Sequence, residues 1–579
     1  MINDLAVMIA GKAGDGVRFT GNILAKILKK QGWEVVTTRD FPSNIRGEPT
    51  NYSIRASLDR IYGRPDVIDI LLAFDCEAIL RHLPEVADGG SVICDGQGIK
   101  NEEAAKRGIT FHKLPIKELA RTNFGSEIFK NAIALGVLCY LLDLEISVVE
   151  GIIKKIFLER KGEEIVQKNL EAVKFGCQQA EKTVEEKERH FLLKREDKGR
   201  LLISGNEAIA LGALAAGCRF FAAYPICPAT EIWEWLGKVL PEFNGLVVQT
   251  EDELAAINMA LGASFAGARA MTSTSGPGAS LMMEGFSLAG MTETPIVIAH
   301  IQRVGPSTGL PTKSEQADLN QWLYGGHGDF PRIILSPGTI EECFDFTIKA
   351  FNLAEKYQVP VIILSEEDYG QNYRTVERFD LSKLIIERGK LLSQEELLKI
   401  KEYKRYELTA DGISPRALPS MKNGLHLVES NEHNEKGYRD ESPDIRVKMM
   451  EKRMKKLAEL GRDLPLPRLW GSKEAEIGLI GFGSTFGSIK EAMDRFQQQN
   501  IRTKYLQLRM LWPFPKTIVE NFIKNSEYVF VVENNYSGQL NFLIRSQAIN
   551  SQKIRSILKY SSQAFRPAEI VAEMKKVIE

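Results

Sequence analysis

The stretch Tyr224-Pro225-Ile226-Cys227-Pro228-Ala229-Thr230-Glu231-Ile232 constrains this chain more than any other. An apolar run ends there in a turn framed by two prolines, which fix φ and remove backbone donors, and a helical pattern begins at once. Small polar groups and free N–H groups are thereby presented at one strand end. Roughly twenty residues on, Glu251, Asp252 and Glu253 stand at the head of a small-residue helix pattern running from Leu254 to Ala268. Carboxylates suit a helix N-terminus because they meet its partial positive charge, and the Ala/Gly content lets a backbone or a flat ligand approach closely. A plain capping cluster on a core helix would look the same in isolation.

Three further segments follow in order: Met271–Gly278, Leu281–Pro295 and, after the strand pattern Ile296–His300, the run Gln302-Arg303-Val304-Gly305-Pro306-Ser307-Thr308-Gly309-Leu310-Pro311-Thr312. With the turn and the acidic cluster, this ordered set resembles the α subunit of 2-oxoacid:ferredoxin oxidoreductases, the 2-oxoglutarate-type enzymes above all. The resemblance extends over most of the chain. It implies a thiamine-diphosphate enzyme whose α subunit holds the pyrimidine end of the cofactor, with Tyr224, Pro225, Ile226, Glu253 and Gly276 at the cofactor. It also implies a β subunit bearing the Mg²⁺-diphosphate site and the iron–sulfur cluster.

At 579 residues a single core is not expected, since cores stop growing near ~250–300 residues, and three or four domains are expected. A hydrophobic content of 44% with 26% charged residues is ordinary for a globular protein. The formal net charge of −1 gives no support for nucleic-acid or membrane-surface binding. No window approaches the ~20 apolar residues of a membrane span, and the N-terminus lacks a basic leader with a cleavage site, so a cytoplasmic location is expected. The seven cysteines are scattered and form no C-x-x-C pair, against both a disulfide framework and a four-thiolate cluster. Any cluster that passes electrons to ferredoxin must sit on another polypeptide, and no metal ligands are assigned in this chain.

The fold class expected is multidomain α/β. Residues 1–190 alternate strand and helix patterns, beginning with the continuous apolar run Leu5–Ala10 of a buried parallel strand, and by resemblance form a γ domain fused in front of α. A pyrimidine-type thiamine-diphosphate domain is expected over 199–376 and a charge-rich connecting segment over 377–470. A domain similar to the transketolase C-terminal domain is expected over 471–579, with strands near Ile477–Ser484 and Tyr528–Glu533.

Gly11, Ala13 and Gly16 fit a dinucleotide fingerprint only loosely, because the acidic residue ~20 positions on is missing; a tight strand–helix turn or an anion nest is the stronger reading. Gly14-Asp15-Gly16 with Asn44 faintly mimics a diphosphate motif whose second asparagine is replaced by Ile45. Segments Arg46–Pro49 and Tyr52–Arg55 are candidates for covering the active site or binding coenzyme A. Glu432-His433-Asn434-Glu435 lacks a second histidine or thiolate at ligand spacing and reads as a solvated loop.

Glu253 is the catalytic candidate. Thiamine chemistry needs a carboxyl that shares a proton with N1′ of the pyrimidine, and such a group must be desolvated so that its pKa rises. Glu251 is the rival, and a capping charge the structural alternative. Arg303, following a strand, lies where α/β sheets bind ligands and can grip a substrate carboxylate, with Ser307 and Thr308 as helpers; an ordinary ion pair is the alternative. Cys227 departs from the family, whose turn carries threonine there, so substrate preference or turnover could differ, and inert packing competes with thiolate chemistry. The reading adopted is a fused γ–α subunit. The resemblance implies CoA-dependent oxidative decarboxylation of a 2-oxoacid, 2-oxoglutarate favoured, with reduction of ferredoxin, and a heterodimer or dimer of heterodimers with β is expected. Alternatives are a pyruvate or branched-chain enzyme, a poorly active paralogue that partners β, and another thiamine- or NAD-linked enzyme.

Overall fold

β1 (Asp4–Lys12) is buried along its seven central residues, as a strand covered on both faces must be. It stops at a turn in which Gly16 takes φ of 82°, a left-handed value that favours glycine, and caps the helix Val17–Lys30. The computed structural model describes residues 3–42, 47–96, 102–190, 192, 195–548 and 552–578. Asn44, Ile45 and Arg46 therefore lie outside the described residues.

The chain divides into two compact units. The first comprises Met1–Ile203 with Asn372–Arg378 and Arg566–Glu569. Its strands are β1, β2 (Glu34–Asp40), β3 (Pro49–Ser57), β4 (Ile68–Ala73), β5 (Val86–Cys94), β6 (Thr110–Lys113), β7 (Leu201–Ser204) and β14 (Tyr373–Val376). They form one sheet in the order β6-β5-β4-β1-β3-β2-β14-β7. β1, β4, β5 and β6 run parallel, as the apolar runs of β1, β4 and β5 predict. The sheet is mixed rather than all-parallel, because β3 pairs antiparallel with both β1 and β2. The Tyr52–Arg55 segment thus lies inside β3, and Tyr52 is buried. β14, at the end of the span 199–376, pairs Arg374 with Val36 of β2. Side-chain bonds reinforce that pairing: the Thr375 hydroxyl accepts the Val35 N–H at 2.7 Å and the Asn372 side-chain carbonyl accepts the Arg39 N–H at 2.9 Å.

The second unit comprises Ser204–Gln371, Phe379–Phe565 and Ile570–Glu579. Its larger sheet contains β8 (Phe220–Ala223), β9 (Leu246–Gln249), β10 (Ala270–Thr274), β11 (Ile296–Gln302), β12 (Ile333–Leu335), β13 (Pro360–Glu366) and β18 (Met510–Trp512), in the order β18-β12-β13-β11-β10-β8-β9. All its pairs are parallel except β12 with β18, so the carboxyl ends of β8, β10, β11 and β13 share one edge. A five-stranded sheet, β15 (Arg468–Gly471), β16 (Ile477–Phe482), β17 (Thr503–Leu508), β19 (Tyr528–Glu533) and β20 (Ile554–Leu558), completes the unit. One apolar cluster, containing Ile257, Phe286, Ile298, Phe482 and Val531, serves both sheets.

The charge-rich connecting segment is anchored by buried ion pairs. Lys452 and Lys456 reach the fully buried Glu293 at 2.6 and 2.5 Å, and Arg405 donates to the Glu293 carbonyl at 2.8 Å. The Glu432–Glu435 run is not a solvated loop. His433 is buried, and Glu432 accepts from both Arg446 and Arg453 at 2.7 Å. Guanidinium groups on both sides suit a carboxylate and not a metal site.

Candidate active site

The site is assembled at the carboxyl edge of the parallel sheet in the second unit. β8 runs into the turn Tyr224–Ala229, where the Cys227–Pro228 bond is cis. Tyr224 is exposed, and Pro225, Ile226 and Cys227 are half-buried. The Pro228 carbonyl is held by the Asn206 amide at 2.7 Å. Asn206 is fully buried, and nothing in its local sequence marks it, since the contact spans the first helix of the unit.

After β9, Asp252 caps the helix Glu253–Phe265: its carboxylate accepts the Ala255 N–H at 2.8 Å. Capping is therefore done by Asp252, which leaves Glu253 free for another task. Glu253 is only 5% exposed, whereas Glu251 is exposed. Burial raises the Glu253 pKa, the neighbouring Asp252 charge adds to the rise, and Arg303 opposes it.

β10 leads through Ser275 into the helix Gly276–Met291. A Cβ at Gly278 would lie 2.2 Å from the Thr274 hydroxyl and 2.4 Å from a Glu253 carboxylate oxygen. Glycine there is what allows the carboxyl of one helix to lie against the first turn of the next.

β11 delivers Arg303, which is 5% exposed. Its Nη1 donates to the Cys227 carbonyl at 2.6 Å and its Nη2 to the Thr308 carbonyl at 3.1 Å. Nε is buried and has no hydrogen-bond partner among the described residues. The arginine thus ties the proline turn to the loop after β11 while two of its five N–H donors are used and three are left over. Thr308 takes part through its backbone. Ser307 lies exposed in the same loop with φ of 57° and is not among the groups Arg303 bonds. The Cys227 thiol receives the Gln371 amide at 3.9 Å. Gln371, another residue without a sequence signal, is buried.

The structure thus brings together Glu253, Arg303, Cys227, the Thr308 carbonyl and the glycines at the head of the Gly276 helix. What the arrangement offers chemically is a buried carboxyl poised to hold a proton, beside a guanidinium with a spare donor, on a rigid strand edge. Among the described residues no group of three or more His, Cys, Asp or Glu side chains is placed to hold a metal, and no helix is long and apolar enough to cross a membrane.

Three family models match the chain. "Pyruvate ferredoxin/flavodoxin oxidoreductase" covers residues 6–179, "Pyruvate flavodoxin/ferredoxin oxidoreductase, thiamine diP-bdg" covers 211–452, and "Pyruvate:ferredoxin oxidoreductase core domain II" covers 475–570. The class is that of thiamine-diphosphate-binding oxidoreductases acting on an oxo group. The α subunit of 2-oxoacid:ferredoxin oxidoreductase 2 of Aeropyrum pernix is 33% identical over 100% of this chain and 98% of its own length. The 2-oxoglutarate synthase subunit KorA of Methanothermobacter thermautotrophicus is 38% identical over 64% of this chain and 96% of its own. The solved 2-oxoglutarate:ferredoxin oxidoreductase of Magnetococcus marinus, with 2-oxoglutarate, coenzyme A and succinyl-CoA bound, superimposes with a TM-score of 0.93 at 35% identity, covering all of both chains. The chain belongs to the 2-oxoacid:ferredoxin oxidoreductase α-subunit family, with the γ domain fused at its N-terminus.

Proposed function

We propose that the chain works with a β subunit in the CoA-dependent oxidative decarboxylation of a 2-oxoacid, 2-oxoglutarate favoured, to an acyl-CoA and carbon dioxide with reduction of ferredoxin. The observation that carries this reading is Glu253: a buried carboxyl with a raised pKa, relieved of capping and laid against a glycine-only helix turn. That environment fits the pyrimidine end of thiamine diphosphate, which takes a proton at a ring nitrogen and needs close backbone on both sides. When bound, the cofactor supplies a nucleophilic carbon for the 2-oxo group and a sink for the electrons left after decarboxylation. Glu253 holds the proton shared with N1′. Tyr224, Pro225, Ile226 and Gly276 form the wall of the pyrimidine site. Arg303 binds the C1 carboxylate with the guanidinium N–H donors that the Cys227 and Thr308 carbonyls leave over, and Cys227, Ser307 and Thr308 line the substrate side.

Mg²⁺, the diphosphate contacts and the iron–sulfur cluster fall to β in this reading. An exposed face of the Glu253 helix supports a partner there. Gly262, mid-helix and exposed, has open space where a Cβ would be, yet glycine costs a helix ~1 kcal/mol relative to alanine. Packing against another chain's backbone gives that glycine a purpose. The preference for 2-oxoglutarate rests on the relatives named above. Scattered cysteines held as thiols rather than disulfides suit a reducing, cytoplasmic setting.

The test is anaerobic viologen reduction by the co-expressed α and β chains with 2-oxoglutarate, pyruvate and a branched-chain 2-oxoacid. CoA-dependent reduction with 2-oxoglutarate as the best substrate is expected. Silence with every acid, from a complex that binds the cofactor, would make the chain a structural paralogue.

A further inference from the structure

His300 and Gln302 are alternate residues of β11 and so project from the same face. Both side chains converge on one residue, Asp318. His300 Nε2 lies 2.8 Å from the Asp318 carboxylate, and the Gln302 side-chain oxygen accepts the Asp318 backbone N–H at 3.1 Å. Asp318 stands at the N-cap of the short helix Leu319–Tyr324, where aspartate ordinarily bonds the helix's own N–H groups. Here its side chain makes no capping bond and is turned to His300 instead. His300 is fully buried, packed edge-on against Trp322 at 5.4 Å, and its Nδ1 has no hydrogen-bond partner among the described residues. A hydrogen on that nitrogen would meet no acceptor, so Nε2 is the nitrogen that donates, to the Asp318 carboxylate.

The segment carrying Asp318 is itself pinned to the loop after β19. The Gln316 N–H donates to the Asn534 carbonyl at 2.7 Å, and the Asn534 N–H returns a bond to the Gln316 side chain at 2.9 Å. The Gln539 amide donates to the Ala317 carbonyl at 2.7 Å and its oxygen accepts the Asn320 N–H at 3.0 Å. Asp318 is therefore a fixed post, and its carboxylate lies close enough to act on Arg303 electrostatically. A Cβ at Gly276 would sit 3.4 Å from it.

We infer that Asp318 is a positioning residue for Arg303: together with His300 and Gln302 it clamps the end of β11, so that the guanidinium is held where a substrate carboxylate meets it. The C-terminal sheet, which touches neither Glu253 nor Arg303 through any bond described above, reaches the substrate site through this post. The inference rests on the reading of Arg303 as the carboxylate grip.

The experiment is a double-mutant cycle on the assembled α–β complex, measured by anaerobic viologen reduction with 2-oxoglutarate. Arg303→Lys alone should lower kcat/KM by about 10–150-fold, because a point charge replaces a planar fork. Asp318→Ala should raise KM by roughly tenfold with kcat within about threefold. Thiamine diphosphate affinity, read by intrinsic fluorescence, should be unchanged. Asp318→Asn keeps an acceptor for His300 and should recover most of the loss. The double variant should be little worse than Arg303→Lys alone, since a post has nothing to position once the guanidinium is gone. Additive losses, or a KM within twofold of wild type for Asp318→Ala while Arg303→Lys shows its own defect, overturn the inference. A normal Arg303→Lys enzyme overturns the arginine's role itself. If Asp318→Ala does not assemble, Gln302→Met, which cuts the second bond at similar volume, takes its place in the cycle, and the same outcomes support or overturn the inference.

Discussion

Glu253 and Glu293 are the same residue type, buried in the same unit, in opposite company. Glu253 has no ammonium or guanidinium at hydrogen-bond distance among the described contacts, and burial lifts its pKa. For Glu293 burial pulls the same way, but Lys452, Lys456 and Arg405 outweigh it and hold the carboxyl far below the ordinary range. A buried carboxylate whose charge is matched is architecture: breaking the match leaves cations stranded in a low dielectric. A buried carboxyl left unmatched has its pKa raised, the direction that the proposed acid–base role of Glu253 asks for. Charge balance, more than burial, separates the two roles.

The sharpest way to break the comparison is Glu253→Gln. Turnover of the α–β complex should fall by about 10²–10⁴-fold, while the melting temperature at neutral pH is no lower than wild type, because the amide never has to carry a buried charge. Activity within twofold of wild type would move the proton to Glu251 or end the proposal. The mirror image is Glu293→Gln. It should destabilise the chain by about 3–5 kcal/mol in denaturant titration with the specific activity of the folded fraction retained. A cost below ~1 kcal/mol would mean that the buried lysines simply shed their protons. Lys456 is pushed down to about 7 by burial against the pull of Glu293, and burial lowers Lys452 as well.

Glu366 provides an intermediate case. It is fully buried at the end of β13, takes the Gln316 amide at 2.7 Å and the Ser484 N–H at 3.0 Å, and is raised to about 7 chiefly by burial. A raised folded pKa means that its contribution is fully present below the ordinary value near 4.5 and is lost as pH rises through about 7. Wild-type stability should therefore decline over that window by up to ~3 kcal/mol relative to Glu366→Gln, whose profile there should be flatter. Parallel profiles would show that the Gln316 and Ser484 donors already satisfy the ionised form. The smallest effect is expected of Cys227→Thr. It supplies the hydroxyl usual in the family next to Gln371 and should change the ranking of 2-oxoacids by about tenfold or less, leaving stability alone. Unchanged ranking would mark the thiol as packing.

Contiguous features are legible in the amino-acid sequence itself: the proline turn, the acidic helix head, the strand pattern leading to Arg303, and the α/β alternation of both halves. Each is written in neighbouring residues with the period of its element. What the sequence hides is made by distance. Asn206 meets Pro228, Gln371 meets Cys227 and Asp318 meets His300 only after the sheet has formed, and none carries a local mark. Asp318 even presents a misleading one, since an aspartate before a helix suggests a cap. The antiparallel placement of β3 is likewise hidden, because its polar–apolar alternation over Pro49–Ser57 identifies a strand but not its direction. Glu432 and His433 look solvated in the sequence because the arginines that bury them arrive from the following helix.

β14 has a consequence for how the protein is made. The ribosome releases residues 1–203 long before it adds Tyr373–Val376, which lies about 170 residues further on. At about 5–20 residues per second, the nascent first unit waits roughly 10–30 s with the flank of β2 that will take β14 lacking its partner, a row of Val and Thr residues open to other strands. Arg566–Glu569, which bond Asp66 and Glu85, come later still. A chain built this way is exposed to mispairing on polysomes, and its yield in a foreign host should respond to slowed translation and to holdase chaperones more strongly than its finished stability would suggest.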